Sequence, residues 1–151
     1  MNATEHGSAN LDFPPPPLQV LQNKGLKQAM LVTSKDGIDE LSITDVTHVH
    51  ELRNNQITTY DIDPTEFGLS IYPLKDIQVN TSEEAYLYGV EVLNGKRGAG
   101  FDMVALNAGA ALYISNITST MAEGIELAIK TIHSGKALLL LNKFAKFTQH
   151  N

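Results

Sequence analysis

An α/β fold, with a partial sheet that contains a β-hairpin and is followed by a C-terminal bundle of helices, is predicted by three observations. Residues 28–33 carry a near-continuous apolar run, Ala29-Met30-Leu31-Val32, of the kind found in strands covered on both faces. Segments 47–53 and 56–62 are rich in β-branched residues and flank Asn54-Asn55, a pair that tolerates positive φ in a two-residue hairpin turn. From residue 81 onward the apolar residues recur at helical spacing.

Taken in order, residues 1–17 are polar, lack periodicity and end in Pro14 to Pro17, so they read as a disordered Pro-rich tail ahead of a domain spanning 18–151. Leu18, Val20 and Leu21 precede Gly25 as the end of a short helix capped by a left-handed glycine. After strand 28–33 comes Ser34-Lys35-Asp36-Gly37-Ile38-Asp39-Glu40, turn chemistry at the strand end where open α/β sheets place ligands. The hairpin follows, then Asp63-Pro64 and Phe67-Gly68, with Pro64 suited to the first position of a single helical turn. Thr81 with Glu84 fits a capping box for a helix ending at Asn94-Gly95. A second helix is expected over 101–115. A third, capped by Ser119, carries Met121, Ile125, Ile129 and Ile132 on one face and ends at Ser134-Gly135. A last helix holds Leu138, Leu140, Leu141, Phe144 and Phe147.

The chain has 151 residues, 42% of them hydrophobic and 19% charged, which suits one globular domain. It has no cysteine, which excludes disulfides, thiolate metal sites and a Cys nucleophile. Eleven basic against seventeen acidic residues leave a net charge of -6, which disfavours nucleic acid as a partner. An acidic protein also needs a metal ion or a local basic pocket to hold a phosphorylated substrate. Residues 137–141 form the longest apolar run and are flanked by Lys136 and Lys143, so no membrane partner is expected. Glu5 and His6 stand where a signal peptide would be basic and then apolar, and a cytoplasmic location is the expectation.

Several pieces in a fixed order carry a family resemblance. They are Ala29-Met30-Leu31-Val32, Asp36-Gly37-Ile38-Asp39-Glu40-Leu41-Ser42-Ile43, Tyr60-Asp61-Ile62-Asp63-Pro64 with Phe67-Gly68-Leu69, Asn107-Ala108-Gly109-Ala110-Ala111-Leu112-Tyr113, and Ser134-Gly135-Lys136-Ala137. Over about residues 18–147 the chain resembles the C-terminal part of the α/β domain of anthranilate phosphoribosyltransferase. The resemblance implies transfer of a phosphoribosyl group from phosphoribosyl pyrophosphate to anthranilate, a step in tryptophan biosynthesis. Such a displacement builds positive charge on the sugar and negative charge on the departing pyrophosphate, so Mg2+ on the phosphates lowers the barrier. In the family the adjacent Asp-Glu pair of this motif holds the magnesium, which gives that role to Asp39 and Glu40. Magnesium prefers hard oxygen ligands and takes one or two carboxylates plus substrate phosphates, which two neighbouring carboxylates on a loop can supply.

The departures matter as much. The family's helical domain, its Gly-Thr-Gly-Gly-Asp pyrophosphate loop, its Asn-Ser-Thr and Lys-His-Gly-Asn-Arg segments and its anthranilate-gripping arginine are absent from these 151 residues. Gly95-Lys96-Arg97-Gly98-Ala99-Gly100 has the wrong pattern for a phosphate loop and joins two helices, so it reads as a linker. Asp45-Val46 replaces the family's usual Gly-Pro. Residues 1–17 match nothing in the family pattern. The expectation is a partial phosphoribosyltransferase, incomplete and inactive alone, with an open sheet edge and apolar helix faces to be covered by a complementary N-terminal chain. The alternative is a non-catalytic interaction lobe or one subunit of a split enzyme. A pyrimidine-nucleoside phosphorylase relative is disfavoured by the Asp-Glu pair.

Other constellations carry less. His48 and His50 share one strand face, with Glu51 on the other, and read as a solvated sheet face in place of a metal site. Ser34, Ser42 and Ser119 lack nucleophile-elbow context. Tyr86, Tyr88, Tyr113, Phe144 and Phe147 are spaced as core-facing helix residues. Gly109, among small neighbours, suits close helix packing.

Overall fold

The computed structural model describes residues 16–148. They open with helix α1 (Pro16–Asn23). Pro16 and Pro17 therefore belong to a helix, which corrects the expected boundary of the tail; the rest of that segment, residues 1–15, lies outside the described residues. The physical reason is that proline's fixed φ suits a first helical turn, where its missing N–H would have had no partner. Gly25, at φ +87°, ends the turn after α1.

Strands β1 (Ala29–Ser34), β2 (Thr47–Arg53) and β3 (Gln56–Ile62) form one antiparallel sheet in the order β1-β2-β3. Asn54 and Asn55, at φ 51° and 62°, supply the tight turn between β2 and β3, and Arg53 pairs with Gln56 across it. The register sets Val32, Val49 and Tyr60 side by side, and Leu31, His50 and Thr59 side by side on the opposite face. Among the described residues β1 is an edge strand, and its apolar run is half-buried, which corrects the expectation of a strand covered on both faces.

One sheet face packs on the helices. Its Val49 and Ile62 share a core with Leu106, Ala110, Met121 and Ile125, and Met30 and Val32 pack against that core. The chain reaches those helices through a 3₁₀ turn at Pro64–Phe67, where the Asp63 carboxylate accepts the Thr65 N–H at 2.9 Å, and a second at Leu74–Asp76. Helix α2 (Ser82–Leu93) is capped by Thr81, whose hydroxyl accepts the Glu84 N–H. The Glu84 carboxylate returns to Asn80 N–H, not Thr81, so only one arm of the expected box forms.

Helix α3 (Ala99–Ile114) starts two residues before the expected 101. Helix α4 (Met121–His133) is capped by Thr120 with a reciprocal Glu123 bond, and not by Ser119, whose N–H instead donates to Glu123 at 2.9 Å. Helix α5 (Lys136–Thr148) lies against α2 and α4. Tyr86, Phe144 and Phe147, expected in the core, are 57%, 63% and 69% exposed, because no element packs on the outer faces of α2 and α5 among the described residues. Among the described residues no helix is long and apolar enough to cross a membrane.

The closest helix contact is the crossing of α3 and α4. A Cβ on Gly124 would overlap the carbonyl oxygen of Gly109, and one on Gly109 would meet Ile125 at 2.5 Å. An alanine in mid-helix ordinarily adds about 1 kcal/mol over glycine. Here overpacking against backbone reverses the sign. Gly124→Ala is expected to lower the unfolding free energy by about 1–3 kcal/mol in chemical denaturation; an unchanged or raised stability would contradict the crossing.

Candidate functional site

The Asp36–Glu40 segment lies in a long loop, residues 35–46, inserted between the antiparallel strands β1 and β2. Its base is closed by the Ser34–Thr47 strand pair, by Lys35 N–H donating to Val46 O at 3.1 Å, and by Gly37 N–H donating to Ser34 O at 3.1 Å. Gly37 takes φ +87°, a conformation that costs other residues steric strain. Beyond it the apolar residues act as anchors: Leu41 and Ile43 are 2% and 0% exposed in the core, and Ile38 packs against it. Asp39 and Glu40 fall between these anchors and are exposed.

Asp36 points back into the loop. Its Oδ1 accepts the Ile38 N–H at 3.0 Å, and its Oδ2 accepts hydroxyls from Ser42, at 2.5 Å, and from Thr44. Ser42 Oγ in turn accepts the Thr44 N–H at 2.9 Å, and Thr47 Oγ1 accepts the Ser42 N–H at 3.0 Å. Burial opposes ionisation of Asp36, but Ser34, Ser42, Thr44 and the Ile38 amide outweigh it and hold the carboxyl at about 2. The buried Ser34 hydroxyl acts by proximity, since it has no hydrogen bond of good geometry among the described residues.

A second anchor comes from α3. Asn107 Oδ1 accepts the Leu41 N–H at 3.0 Å, while its Nδ2 donates to Leu41 O at 2.8 Å and to Met103 O at 3.0 Å. This side chain pairs with Leu41 as a neighbouring strand would. Tyr72 N–H donates to Ile43 O at 3.1 Å. At the departure from the family pattern, the Asp45 carboxylate accepts the Val46 N–H at 2.7 Å, a donor that proline would lack.

Neither Asp39 nor Glu40 enters an ion pair among the described residues. Burial, and then the neighbouring Asp39 charge, push the Glu40 carboxyl upward. Two adjacent carboxylates with free oxygens are a hard donor set that fits magnesium. No cluster of three or more His, Asp or Glu suited to a metal occurs among the described residues, so this pair supplies two ligands at most. Asp36 and Asn107, which fix the loop, were not singled out as site residues from sequence. The signal for Asp36 lay in the hydroxyls six and eight residues on; Asn107 lies 66 residues from Leu41 and gave no local sign.

The other constellations are structural. His48 Nδ1 bonds Asp61 at 2.7 Å and His50 Nδ1 bonds Thr59 Oγ1 at 2.8 Å. His50 is 6% exposed, which corrects the solvated-face expectation: β2 is the central strand. Glu51, on the opposite face, accepts hydroxyls from Tyr60 at 2.7 Å and Tyr113 at 2.9 Å, and Arg53 lies over the Tyr113 ring. That network ties the hairpin to α3. At the start of α3, the Tyr88 hydroxyl accepts the Gly100 N–H at 2.8 Å, while Arg97 of the preceding linker stacks on Phe101.

A family model described as "Glycosyl transferase family, a/b domain" matches residues 8–138. The chain belongs to this family. The match begins inside the segment expected to match nothing, so residues 8–17 are corrected to family sequence. The chain is 41% identical over 131 residues to the anthranilate phosphoribosyltransferase of Vesicomyosocius okutanii, covering 87% of this chain and 39% of that protein. It is 40% identical over 129 residues to that of Acetivibrio thermocellus, covering 85% and 37%. The crystal structure of the Thermus thermophilus enzyme superposes with TM-score 0.79 and 31% identity, over 91% of this chain and 41% of that one. The Saccharomyces cerevisiae enzyme in complex with PRPP and Mg superposes with TM-score 0.67 and 29% identity, over 78% and 34%. The chain therefore spans about two fifths of the length of the relatives it matches.

The Asp36 network has a pH signature. Its folded carboxyl titrates at about 2 against an ordinary 3.8, so its contribution is full above about pH 4 and is lost as pH falls toward 2. Asp36→Asn is expected to lower unfolding free energy by about 1–2 kcal/mol at pH 7. The gap to wild type should shrink between pH 4 and pH 2 in acid-dependent denaturation; a gap that stays constant through that window would contradict the network.

Proposed function

We propose that this chain is the carboxylate-bearing portion of an anthranilate phosphoribosyltransferase, corresponding to the C-terminal part of its α/β domain. The observation that carries the reading is the loop 35–46: three buried or packed apolar anchors and two hydrogen-bonded clamps present Asp39 and Glu40 outward with unpaired oxygens. On this reading Asp39 and Glu40 hold Mg2+, whose charge, when bound, offsets the negative charge growing on the departing pyrophosphate. The chain's own part is positional. Asp36, Asn107 and the apolar anchors keep the two carboxylates from collapsing onto the protein, so the loop is ordered before a ligand arrives.

Groups that grip the phosphates and orient the anthranilate amine lie outside these 151 residues, so the chain alone is inactive on this reading. Its substrates in the complete enzyme are phosphoribosyl pyrophosphate and anthranilate, its setting is tryptophan biosynthesis in the cytoplasm, and a complementary segment covers its open faces. Exposed apolar surface supports that last point. Leu139, Leu140, Phe144 and Phe147 stand out from α5, and an apolar groove of about 400 Å³ runs among Leu93, Val104, Leu112, Ile117, Ile132 and Ala137. A non-catalytic interaction lobe is the second reading, favoured by the same surface.

Anthranilate fluorescence separates the two. The folded chain with phosphoribosyl pyrophosphate and Mg2+ is expected to leave fluorescence unchanged. A fusion to the missing three fifths of a relative should consume anthranilate, and Asp39→Asn with Glu40→Gln should abolish that turnover. A fusion that stays inactive, or a double variant that retains turnover, would overturn the enzymatic reading.

A further inference from the structure

We propose that Asn107 is a positioning residue for the Asp39–Glu40 pair, setting its affinity for a divalent cation through the backbone of Leu41; this rests on the reading of the pair as a metal site.

The residue that follows Glu40 is held at both polar backbone atoms by one side chain, with Asn107 accepting from Leu41 N–H and donating to Leu41 O. Only a carboxamide both accepts and donates in this way; aspartate accepts only, and the longer glutamine would not fit the same spacing. The third bond, from Nδ2 to Met103 O one helical turn back, fixes the rotamer, so the pairing geometry is set by α3 and not by the loop. Leu41 is buried, so releasing it would leave two backbone groups without partners or drag them toward solvent. Either movement displaces Glu40, one residue away.

Asp36 fixes the other side of the pair through Ser42, Thr44 and the Ile38 amide. The loop is thus clamped from within by a carboxylate and from the helix layer by a carboxamide. Asparagine is a poor helix former in mid-helix, and its presence eight residues into α3 is explained by this contact. Asn107 takes no part in the chemistry itself; it decides where the two carboxylates stand.

Mn2+ is the probe, titrated into the full 151-residue chain and followed by the loss of its free electron-paramagnetic-resonance signal. Wild type is expected to bind, Asp39→Asn with Glu40→Gln to lose binding, and Asn107→Ala to bind at least five-fold more weakly while still unfolding cooperatively. Thr81→Ala, which removes the side-chain cap of α2 away from the loop, should keep wild-type affinity and so separates positioning from general destabilisation. Asn107→Asp retains the acceptor to Leu41 N–H and should fall between wild type and Asn107→Ala; it serves as the readout if the alanine variant does not fold. Wild-type affinity in both Asn107 variants, or an equal loss in Thr81→Ala, would overturn the positioning role and leave the metal reading standing. Absence of binding in wild type, or binding retained in the Asp39 and Glu40 double variant, would overturn the metal reading and this inference with it.

Discussion

Helix α3 gives only one strip to water, at Val104 and Ala111 beside the apolar groove. Ala99, Phe101, Met103, Ala105, Leu106, Gly109 and Ala110 are all buried, and a helix buried around most of its circumference has to be wrapped by other elements. The sheet takes one side through Val49 and Ile62, and α4 takes another, where Gly109 and Gly124 bring the two backbones into contact. Once those two contacts are satisfied, the position of Asn107 along the helix axis is fixed. Leu41, and with it the loop that carries the candidate site, is then fixed as well. The order of dependence runs from an apolar helix to a glycine crossing to a single carboxamide.

The loop itself resolves a conflict between burial and charge. Residues 36–43 alternate between side chains that need the core and side chains that need water or a counter-charge. Ile38, Leu41 and Ile43 go inward, and the Asp36 carboxylate is satisfied locally by hydroxyl and amide donors, which leaves Asp39 and Glu40 as the carboxylates without partners among the described residues. Placing two carboxylates side by side is electrostatically unfavourable, and desolvation by burial, with the Asp39 charge adding to it, pushes the Glu40 carboxyl upward. On the proposed reading, a hard cation between the two carboxylates would relieve that repulsion. Across the sheet, Glu51 presents the contrary case, a buried carboxylate supplied with two tyrosine hydroxyls and an arginine, with nothing left over for a ligand.

Local signals read well from sequence because their causes are local. Asn54-Asn55, the Pro64 turn, and the Gly25 and Gly135 stops each depend on one or two residues' backbone preferences, and each stands where the pattern put it. The Ser119 and Thr120 choice failed because both hydroxyls precede the helix, and only the reciprocal Glu123 bond selects between them. Non-local features were not legible. The burial of His50 depends on β2 being the central strand, and the exposure of Phe144 and Phe147 depends on what does not pack on α5 among the described residues. For the site, the Asp39-Glu40 pair was visible as a motif, whereas its support came from Asn107, 66 positions from Leu41, and from an Asp36 whose hydroxyl partners looked like ordinary turn residues.

The candidate site depends on the carboxylate loop being ordered by the chain's own contacts before any ligand binds. Amide hydrogen exchange at Leu41 tests it directly in the 151-residue chain without metal. The Leu41 amide, bonded to the Asn107 side chain, is expected to exchange as slowly as the core amides of α3. Exchange at the rate of an open loop, with α3 still protected, would contradict it.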